Sequence, residues 1–415
     1  MERLSFSLRV KNLLYLGILI LLVGFGGPFK NLIDLPVSFF LKNKLHLSSH
    51  ETAIFRFIAA IPLYVSFLFG FLRDGWNPFG MRDRGFMVLF GAITAFLYAF
   101  FAFTATTYSS LLIALFILTI SYRIVESAQG GLSSLMGQQH EMSGQVSALW
   151  LCLNTFPAMT GYFLGGHLSE WLDKVDIQQG VEYLFLIGAA IMTGVALFGL
   201  LKPKSIYAHL SYPTTSVTSW HAMRQLLKHK PLYLASLIWF LWQFAPGVQT
   251  PLQYYLQNTL KATDSDWGTW HAIFVVSTIP TTLLFGHLCR SLSLRRLLFL
   301  GTLIAVPQLV PLLWVESVHG AFIASSVMGL MSGMATSSYL SFLIRSCPNG
   351  FQGTAMMLYA SLYYVSWRAG DLLGTYLFDY YGNFTVCVIA TTVVYALIIP
   401  ILFWIPRQLI DKPDG

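Results

Sequence analysis

The sequence predicts an all-α membrane protein in which twelve transmembrane helices form two pseudo-symmetric six-helix bundles. The first observation is composition: 55% of the residues are hydrophobic and 10% are charged, which is about half the charged fraction of an ordinary soluble domain. The second is a stretch of 38 residues, 85–122, without a charged residue, long enough for two spans of about 20 residues. The third is an internal repeat.

Two halves of the sequence resemble each other at a nearly constant spacing. The first two matching pairs are 215 and 216 residues apart and the third is 209 residues apart; loop-length differences explain this drift. A duplicated half in a very apolar chain is typical of transporters whose substrate passes between the two repeats. The matching segments are 36–45 with 251–260, 68–72 with 284–288, and 144–165 with 353–374.

Apolar runs and the turns between them predict twelve transmembrane spans, numbered here in chain order. The polar stretch 202–230 separates the sixth span from the seventh. We therefore predict a cytoplasmic linker between an N-terminal bundle, 1–201, and a C-terminal bundle, 231–415. The predicted spans are 12–41, 51–72, 84–105, 109–135, 143–170, 181–201, 231–257, 267–289, 295–315, 318–344, 352–378 and 383–406.

The basic residues predict the orientation of the chain. With the N-terminus in the cytoplasm, 17 of the 25 Lys and Arg residues lie in cytoplasmic segments, four lie outside and four lie within spans. This asymmetry predicts a multi-pass protein of the cell membrane, inner or plasma, with both termini in the cytoplasm. The first span is too long for a secretory signal and contains charged residues, so we expect it to be retained. The basic residues are scattered over several loops, which argues against nucleic-acid binding.

The loop after the second span carries the most specific motif of the chain. Gly70 and Asp74 are followed, after an insertion, by Gly80, Arg82 and Arg84. This pattern is similar to the signature loop of the major facilitator superfamily. The insertion resembles that of the folate-biopterin transporters and the related peptide and acetyl-CoA transporter group. The resemblance implies the major facilitator fold and a gating role for the loop.

The residue types of this loop also have a physical interpretation. Gly70 lets two helices approach closely, and Asp74 lies at the cytoplasmic end of the second span, where we expect water nearby. The two arginines are expected to pair with Asp74 or with lipid phosphates. The resemblance implies that Asp74 holds the cytoplasmic side closed, with the helix N-terminus near 350–354 as its partner. The alternative is ordinary loop charge that obeys the positive-inside rule. In the second half the equivalent position is Arg290, so the gate is asymmetric.

Three pairs of opposite charges lie within predicted spans, three or four residues apart, so each pair shares a helix face. A central charge costs about 2.5–3.5 kcal/mol on insertion scales, whereas an exposed helical pair returns only about 0.2–0.5 kcal/mol. We therefore expect the pairs in a hydrated cavity or a buried network. The pairs are Lys30 with Asp34, Arg123 with Glu126, and Arg368 with Asp371.

Two interpretations of these charges stay open. In the first, the pairs are local salt bridges that orient helices. In the second, the three basic residues bind an anionic or zwitterionic solute, with Asp34 also at the substrate, while an acidic residue carries a proton. Glu126 is the preferred proton carrier, because its setting is apolar and no second acid lies nearby in sequence. Asp34 and Asp371 are the alternatives.

Two predicted spans contain a helix break. Gly26-Gly27-Pro28 interrupts the first span and Pro246-Gly247 interrupts the seventh. Breaks in both repeats indicate a substrate site, since proline and glycine leave carbonyls that a substrate or water can bind. A kink that serves packing alone is the alternative. Gln249 and Gln253, which follow the second break, are further candidates for substrate binding.

These observations together predict a secondary active transporter that moves a small anionic or zwitterionic organic solute by alternating access, with protons as the coupling ion. A facilitative uniporter or an exchanger is the alternative. An intramembrane enzyme is a third hypothesis, which the lack of hydrolase, zinc-protease and phosphate-loop motifs disfavours. We expect a monomer in the lipid bilayer, without a cofactor, a metal site or a disulfide.

Overall fold

The computed structural model describes residues 6–29, 49–105, 107–174, 177–208, 210–212 and 228–414, with isolated positions at 33, 37, 41, 45, 224 and 226. Most of these residues are helical, and none of them lies in a β-strand. Helices satisfy their backbone hydrogen bonds within one segment, which is what a spanning element requires in lipid.

The first half of the sequence contributes helices α1 to α9. The second predicted span, 51–72, is three helices and not one, because the chain turns at Ala60 and again at Val65-Ser66. Pro62 lies at the start of the middle helix and has no N–H to continue a preceding helix. The bounds are α1 Phe6–Phe25, α2 Ser49–Ala59, α3 Ile61–Tyr64, α4 Phe67–Gly75, α5 Asp83–Thr104, α6 Tyr108–Gln139, α7 Ser143–Lys174, α8 Ile177–Leu200 and α9 Lys204–Tyr207.

The second half contributes helices α10 to α18. The seventh predicted span is interrupted between α10 and α11, where Pro246 and Gly247 stand, and a π-helix, Tyr255–Thr259, follows α11. The ninth predicted span continues beyond α13 as a 3₁₀-helix, Val310–Trp314. The bounds are α10 Lys230–Gln243, α11 Thr250–Tyr254, α12 Asp264–Leu288, α13 Leu294–Ala305, α14 Val318–Arg345, α15 Gln352–Tyr381, α16 Phe384–Ala396, α17 Ile398–Leu402 and α18 Arg407–Ile410.

Eight segments of the described chain are long and apolar enough to cross a membrane. Each has at least 18 residues and a mean hydropathy between 1.4 and 2.4 over its most apolar stretch, in the length range that spans a bilayer. They are Phe6–Phe25, Asp83–Thr104, Tyr108–Gln139, Glu182–Leu200, Asp266–Leu288, Leu294–Trp314, Val318–Arg345 and Phe384–Leu402.

The residues group into two compact units, and each draws on both halves of the sequence. The first unit contains Met1–Leu135, Phe156–Leu226 and Asn349–Leu358. The second contains Met136–Thr155, Leu227–Pro348 and Tyr359–Gly415. The division predicted at the 202–230 linker stays a prediction.

Each unit has its own helix packing. In the first unit α5 packs along α8, and in the second α12 packs along α14. At the α12–α14 contact, Gly329 and Gly333 lie directly against the carbonyl oxygens of Phe274 and Thr278. Such close approach needs small residues, as is usual where helices pack in a membrane. The second unit also has an apolar cluster around Trp270, Leu252, Leu312 and Met328.

Candidate functional site

Asp74 lies near the C-terminal end of α4 and binds the N-terminus of α15. Its carboxylate accepts hydrogen bonds from the backbone N–H groups of Gly353 and Thr354, at 3.0 and 2.6 Å. The Thr354 hydroxyl donates a third hydrogen bond at 2.7 Å. The negative charge thus lies at the positive end of the α15 dipole. The structure places this contact within the 350–354 stretch, and its role in gating stays a prediction.

The burial of Asp74 contradicts the expectation that water lies nearby. Its side chain is 0% exposed, and the Arg73 guanidinium binds it at 2.7 Å. Burial raises the pKa of the Asp74 carboxyl, while the charge of Arg73 and the hydrogen bonds from Thr354 lower it. The carboxylate is enclosed because α15 covers the end of α4. Its loss should therefore affect folding.

Arg73 is the basic partner of Asp74, and the sequence motif did not identify it. Its Nε also donates to Asp83 Oδ1 at 2.6 Å. Gly131 of α6 makes room for the guanidinium, since a Cβ there would lie 2.5 Å from its Cζ. Asp83 in turn accepts a hydrogen bond from the Tyr212 hydroxyl at 3.1 Å. Burial raises the pKa of Tyr212, so this phenol stays a donor.

Arg82 and Arg84 were expected to pair with Asp74 or with lipid phosphates. The structure pairs Asp74 with Arg73 instead, and the lipid alternative stays a prediction. Arg84 donates to the carbonyls of Leu200 and Leu201, at 2.7 and 2.9 Å. These carbonyls end α8, where a cation is favoured by the helix dipole. The Arg82 guanidinium lies 5.5 Å from the centre of the Tyr212 ring. Both arginines thus anchor the loop to the segment after α8.

Gly70 allows the close approach of α4 to α15. A Cβ at this position would overlap the carbonyl oxygen of Gly353 and lie 2.7 Å from the Cα of Thr354. Any side chain would push the two helices apart. The predicted close approach is therefore present, and its partner is the same helix end that binds Asp74.

Arg123 and Glu126 form a buried ion pair in α6. Their side chains are 2% and 12% exposed. The Arg123 Nε also donates to the Ser66 hydroxyl at 2.9 Å, and that hydroxyl donates to the Leu63 carbonyl at 2.7 Å. Ser66 stands in the turn between α3 and α4. The interruption of the second predicted span thus supplies a ligand for the buried arginine.

The other two predicted pairs differ from this one. Within the described residues, no salt bridge joins Arg368 to Asp371. The Arg368 side chain is exposed and its guanidinium lies 5.0 Å from the centre of the Trp367 ring. Lys30 and Asp34 lie outside the residues that the structure describes.

Two tyrosines bind the carbonyls that the break after α1 leaves. The Tyr122 hydroxyl donates to the Val23 carbonyl at 2.9 Å, and the Tyr98 hydroxyl donates to the Gly26 carbonyl at 3.0 Å. Both hydroxyls are buried with their partners. The sequence predicted that these carbonyls serve a substrate or water, but at these two positions protein side chains bind them.

Asp371 binds the start of the helix that follows the second break. Its carboxylate accepts hydrogen bonds from the Thr250 N–H at 2.9 Å and the Thr250 hydroxyl at 3.1 Å. Gln249 immediately precedes α11 and Gln253 lies within it, and both are half-buried. The structure thus brings Asp371 and the two glutamines together around α11.

The second break packs against α15. A Cβ at Gly374 would overlap the Pro246 carbonyl oxygen, and one at Gly370 would lie 2.8 Å from the Ala245 nitrogen. The Gly247 N–H donates to the Thr391 hydroxyl at 3.0 Å. The break is therefore packed closely against α15, and the N–H of Gly247 is bound by α16.

Comparison with known proteins gives a family match over almost the whole chain. A model of the BT1 family matches residues 27–415. A protein named "Folate-biopterin transporter" from Synechocystis sp. is 23% identical over 428 residues, covering 95% of this chain and 83% of that protein. "Folate transporter 2" of Plasmodium falciparum is 18% identical over 322 residues, covering 76% of this chain and 68% of that protein.

Solved structures of the major facilitator superfamily share the fold. The transporter FucP, in its outward conformation, superimposes with a TM-score of 0.70 at 17% identity, covering 95% of this chain and 98% of FucP. The human organic anion transporter MFSD10 has a TM-score of 0.68 at 15% identity, covering 96% of this chain and all of that chain. At this identity the likeness concerns the fold alone, and it confirms the predicted fold class.

Proposed function

Since the chain belongs to the BT1 family of transporters, we propose that it is a secondary active transporter of folates or related pteridines. Membership makes it an integral membrane transporter of the major facilitator superfamily and not an enzyme. The substrate class is supported by two relatives whose names specify folate or biopterin. Proton coupling and alternating access are part of the proposal.

The observation that carries the proposal is the buried pair of Arg123 and Glu126 in α6. Desolvation of two buried charges offsets much of their attraction, so such a pair contributes little stability. A charged pair inside a membrane helix is, in contrast, typical of substrate or proton pathways. Glu126 is the more accessible partner, at 12% exposure. We propose that it exchanges its proton while Arg123 holds the carboxylate ionised between turnovers.

A second group of residues suits the chemistry of a folate. Folates combine a flat aromatic ring with glutamate carboxylates. On α15, Tyr363 and Trp367 are four residues apart and therefore share a face, and Arg368 follows directly. The aromatic rings can stack on the pteridine and the guanidinium can bind a carboxylate through two hydrogen bonds. Facing lipid, Arg368 would cost about 2.5–3.5 kcal/mol, which favours a position on the aqueous path.

Uptake into proteoliposomes of the purified protein tests this proposal. With an inward proton gradient, radiolabelled folate should accumulate above its external concentration, and unlabelled biopterin should compete with it. Equilibration without accumulation would instead assign a facilitative uniporter. If neither folate nor biopterin enters at all, the proposed substrate class is wrong.

Arg368→Gln should raise the half-saturating folate concentration about tenfold. The loss of a hydrogen bond to a charged group costs about 1.5–3 kcal/mol, and 1.4 kcal/mol corresponds to a factor of ten. The half-saturating concentration of Arg368→Lys should lie between those of the unchanged protein and Arg368→Gln, because lysine keeps the charge without the paired donors. Arg296→Gln, at an exposed arginine of α13, is the control. Unchanged half-saturation in Arg368→Gln would remove this residue from the substrate site.

A further inference from the structure

A second carboxylate in the protein repeats the arrangement around Asp74. Asp414 accepts hydrogen bonds from the backbone N–H groups of Gly144 and Gln145, at 2.7 and 3.2 Å. The Ser143 hydroxyl donates to it at 3.1 Å, and Arg345 binds it at 2.8 Å. Each of the two carboxylates therefore binds two successive N–H groups of a helix N-terminus, one hydroxyl and one guanidinium.

The helix ends that bind the two carboxylates are related by the internal repeat. Gly144 and Gln145 begin α7, and the residues 209 positions later are Gly353 and Thr354, which begin α15. This is the same spacing that relates the segments 144–165 and 353–374. The hydrogen bonds correspond as well. The N–H groups of Gly144 and Gln145 donate to Asp414, and those of the equivalent Gly353 and Thr354 donate to Asp74.

The internal repeat also relates the residues that pack against Gly353 and Gly144. A Cβ at Gly353 would lie 2.6 Å from the Cδ of Arg73, and a Cβ at Gly144 would lie 2.7 Å from the Cβ of Cys289. Arg73 and Cys289 are 216 positions apart, the spacing of the segments 68–72 and 284–288. The next residue is Asp74 in the first repeat and Arg290 in the second. The second repeat thus lacks the acid at the place where the first repeat has it.

The missing carboxylate comes from a tail segment, residues 407–414, outside the repeated loop. Arg345, at the end of α14, donates to the carbonyls of Leu409 and Lys412, at 2.9 Å each. The Asp414 N–H donates to the Cys289 carbonyl at 2.8 Å. The Asp414 side chain is 1% exposed, so the tail is inserted at this helix end and does not merely lie on the surface.

We propose that Asp414 is the second gate carboxylate of the transport cycle and that it positions α7 as Asp74 positions α15. The proposal rests on the alternating-access function proposed above. A carboxylate at a helix N-terminus is stabilised by the helix dipole and is costly to leave buried without its donors. Both contacts therefore form together when the predicted cytoplasmic side closes, and both break when it opens.

Alkylation of Cys289 tests this proposal without any substrate. The protein has four cysteines, all free, and Cys289 is 3% exposed beside Asp414. In a background with Cys152, Cys347 and Cys387 replaced by serine, Asp414→Asn should increase the rate of maleimide labelling about tenfold. Asp411→Asn is the matched control, because Asp411 is 44% exposed in the same tail and lies 3.8 Å from Arg295. Equal labelling rates in the two variants would overturn the proposal.

A second variant separates a gate from a simple anchor of the tail. Asp74 belongs to the first unit and Cys289 to the second. Asp74→Asn should nevertheless increase the labelling of Cys289 if both carboxylates act on one opening equilibrium. An effect of Asp414→Asn without any effect of Asp74→Asn would mean that Asp414 only anchors the tail. If Asp414→Asn does not fold, Ser143→Ala removes one of its hydrogen bonds and should raise labelling by a smaller factor, about threefold; no change in that variant also overturns the proposal. Because no folate is added, these results are independent of the proposed substrate.

Discussion

Replacing Asp74 with asparagine should slow transport about tenfold or more and should also lower the thermal stability of the protein. The carboxylate accepts three hydrogen bonds from Gly353 and Thr354 and pairs with Arg73. Asparagine offers a single acceptor oxygen and turns an NH₂ group toward these donors. Hydrogen bonds to charged groups are worth about 1.5–3 kcal/mol each, and 1.4 kcal/mol shifts an equilibrium tenfold.

Initial rates of folate uptake, normalised to the amount of folded protein, measure the effect of Asp74→Asn. Thermal unfolding of the purified variant measures the loss of stability separately. Asp379→Asn is a suitable control, since this acid is exposed on α15. A normal uptake rate together with unchanged Cys289 labelling would show that Asp74 has a structural role and no gating role.

Glutamine at position 126 should abolish proton-driven accumulation of folate and leave counterflow of labelled substrate across equal concentrations. Glu126 is paired with Arg123, and both side chains are largely buried. Glutamine keeps the size and a hydrogen bond to the arginine but cannot exchange a proton. The coupled step is then lost, whereas the exchange of substrate, which needs no net proton movement, continues.

Parallel uptake and counterflow assays in the same proteoliposomes distinguish the two activities of Glu126→Gln. Arg123 is left in place without its charge partner, and this costs about 3–5 kcal/mol, so the amount of folded protein must be measured as well. Glu141→Gln, at an exposed residue between α6 and α7, is the control. Intact uphill uptake in Glu126→Gln would mean that another residue carries the proton or that the protein is a uniporter.

The sequence predicted the membrane helices well wherever the signal is local. Long apolar runs such as Asp83–Thr104 and Val318–Arg345 need no knowledge of their neighbours, because the bilayer is their solvent. The interruptions within the second and ninth spans were missed. The apolar composition continues across both interruptions. In the second span, Pro62 ends the first helix, and the bonds of Ser66 to Leu63 and Arg123 show what the second turn provides.

Pairs close in sequence were predicted with mixed success. Arg123 and Glu126 are paired as their spacing suggests, because both point into the interior of the first unit. Arg368 and Asp371 have the same spacing, yet Asp371 binds Thr250, 121 residues away. A shared helix face makes contact possible, but the partner with the better geometry on a neighbouring helix decides which contact forms.

By itself, the sequence determined that this protein has two related halves of membrane helices, a superfamily signature loop and charges inside its spans. These properties follow from hydrophobicity and repetition, which are properties of the chain alone. For Asp74, the family resemblance had pointed to the helix end near 350–354, and the tertiary structure decided which donors of that end bind the carboxylate. Only the tertiary structure showed that Asp414 binds the start of α7, roughly 270 residues away along the chain. The repeat relates the two helix ends to each other, but it does not show which carboxylate binds each of them, because helix packing and not chain distance brings a carboxylate to a helix N-terminus.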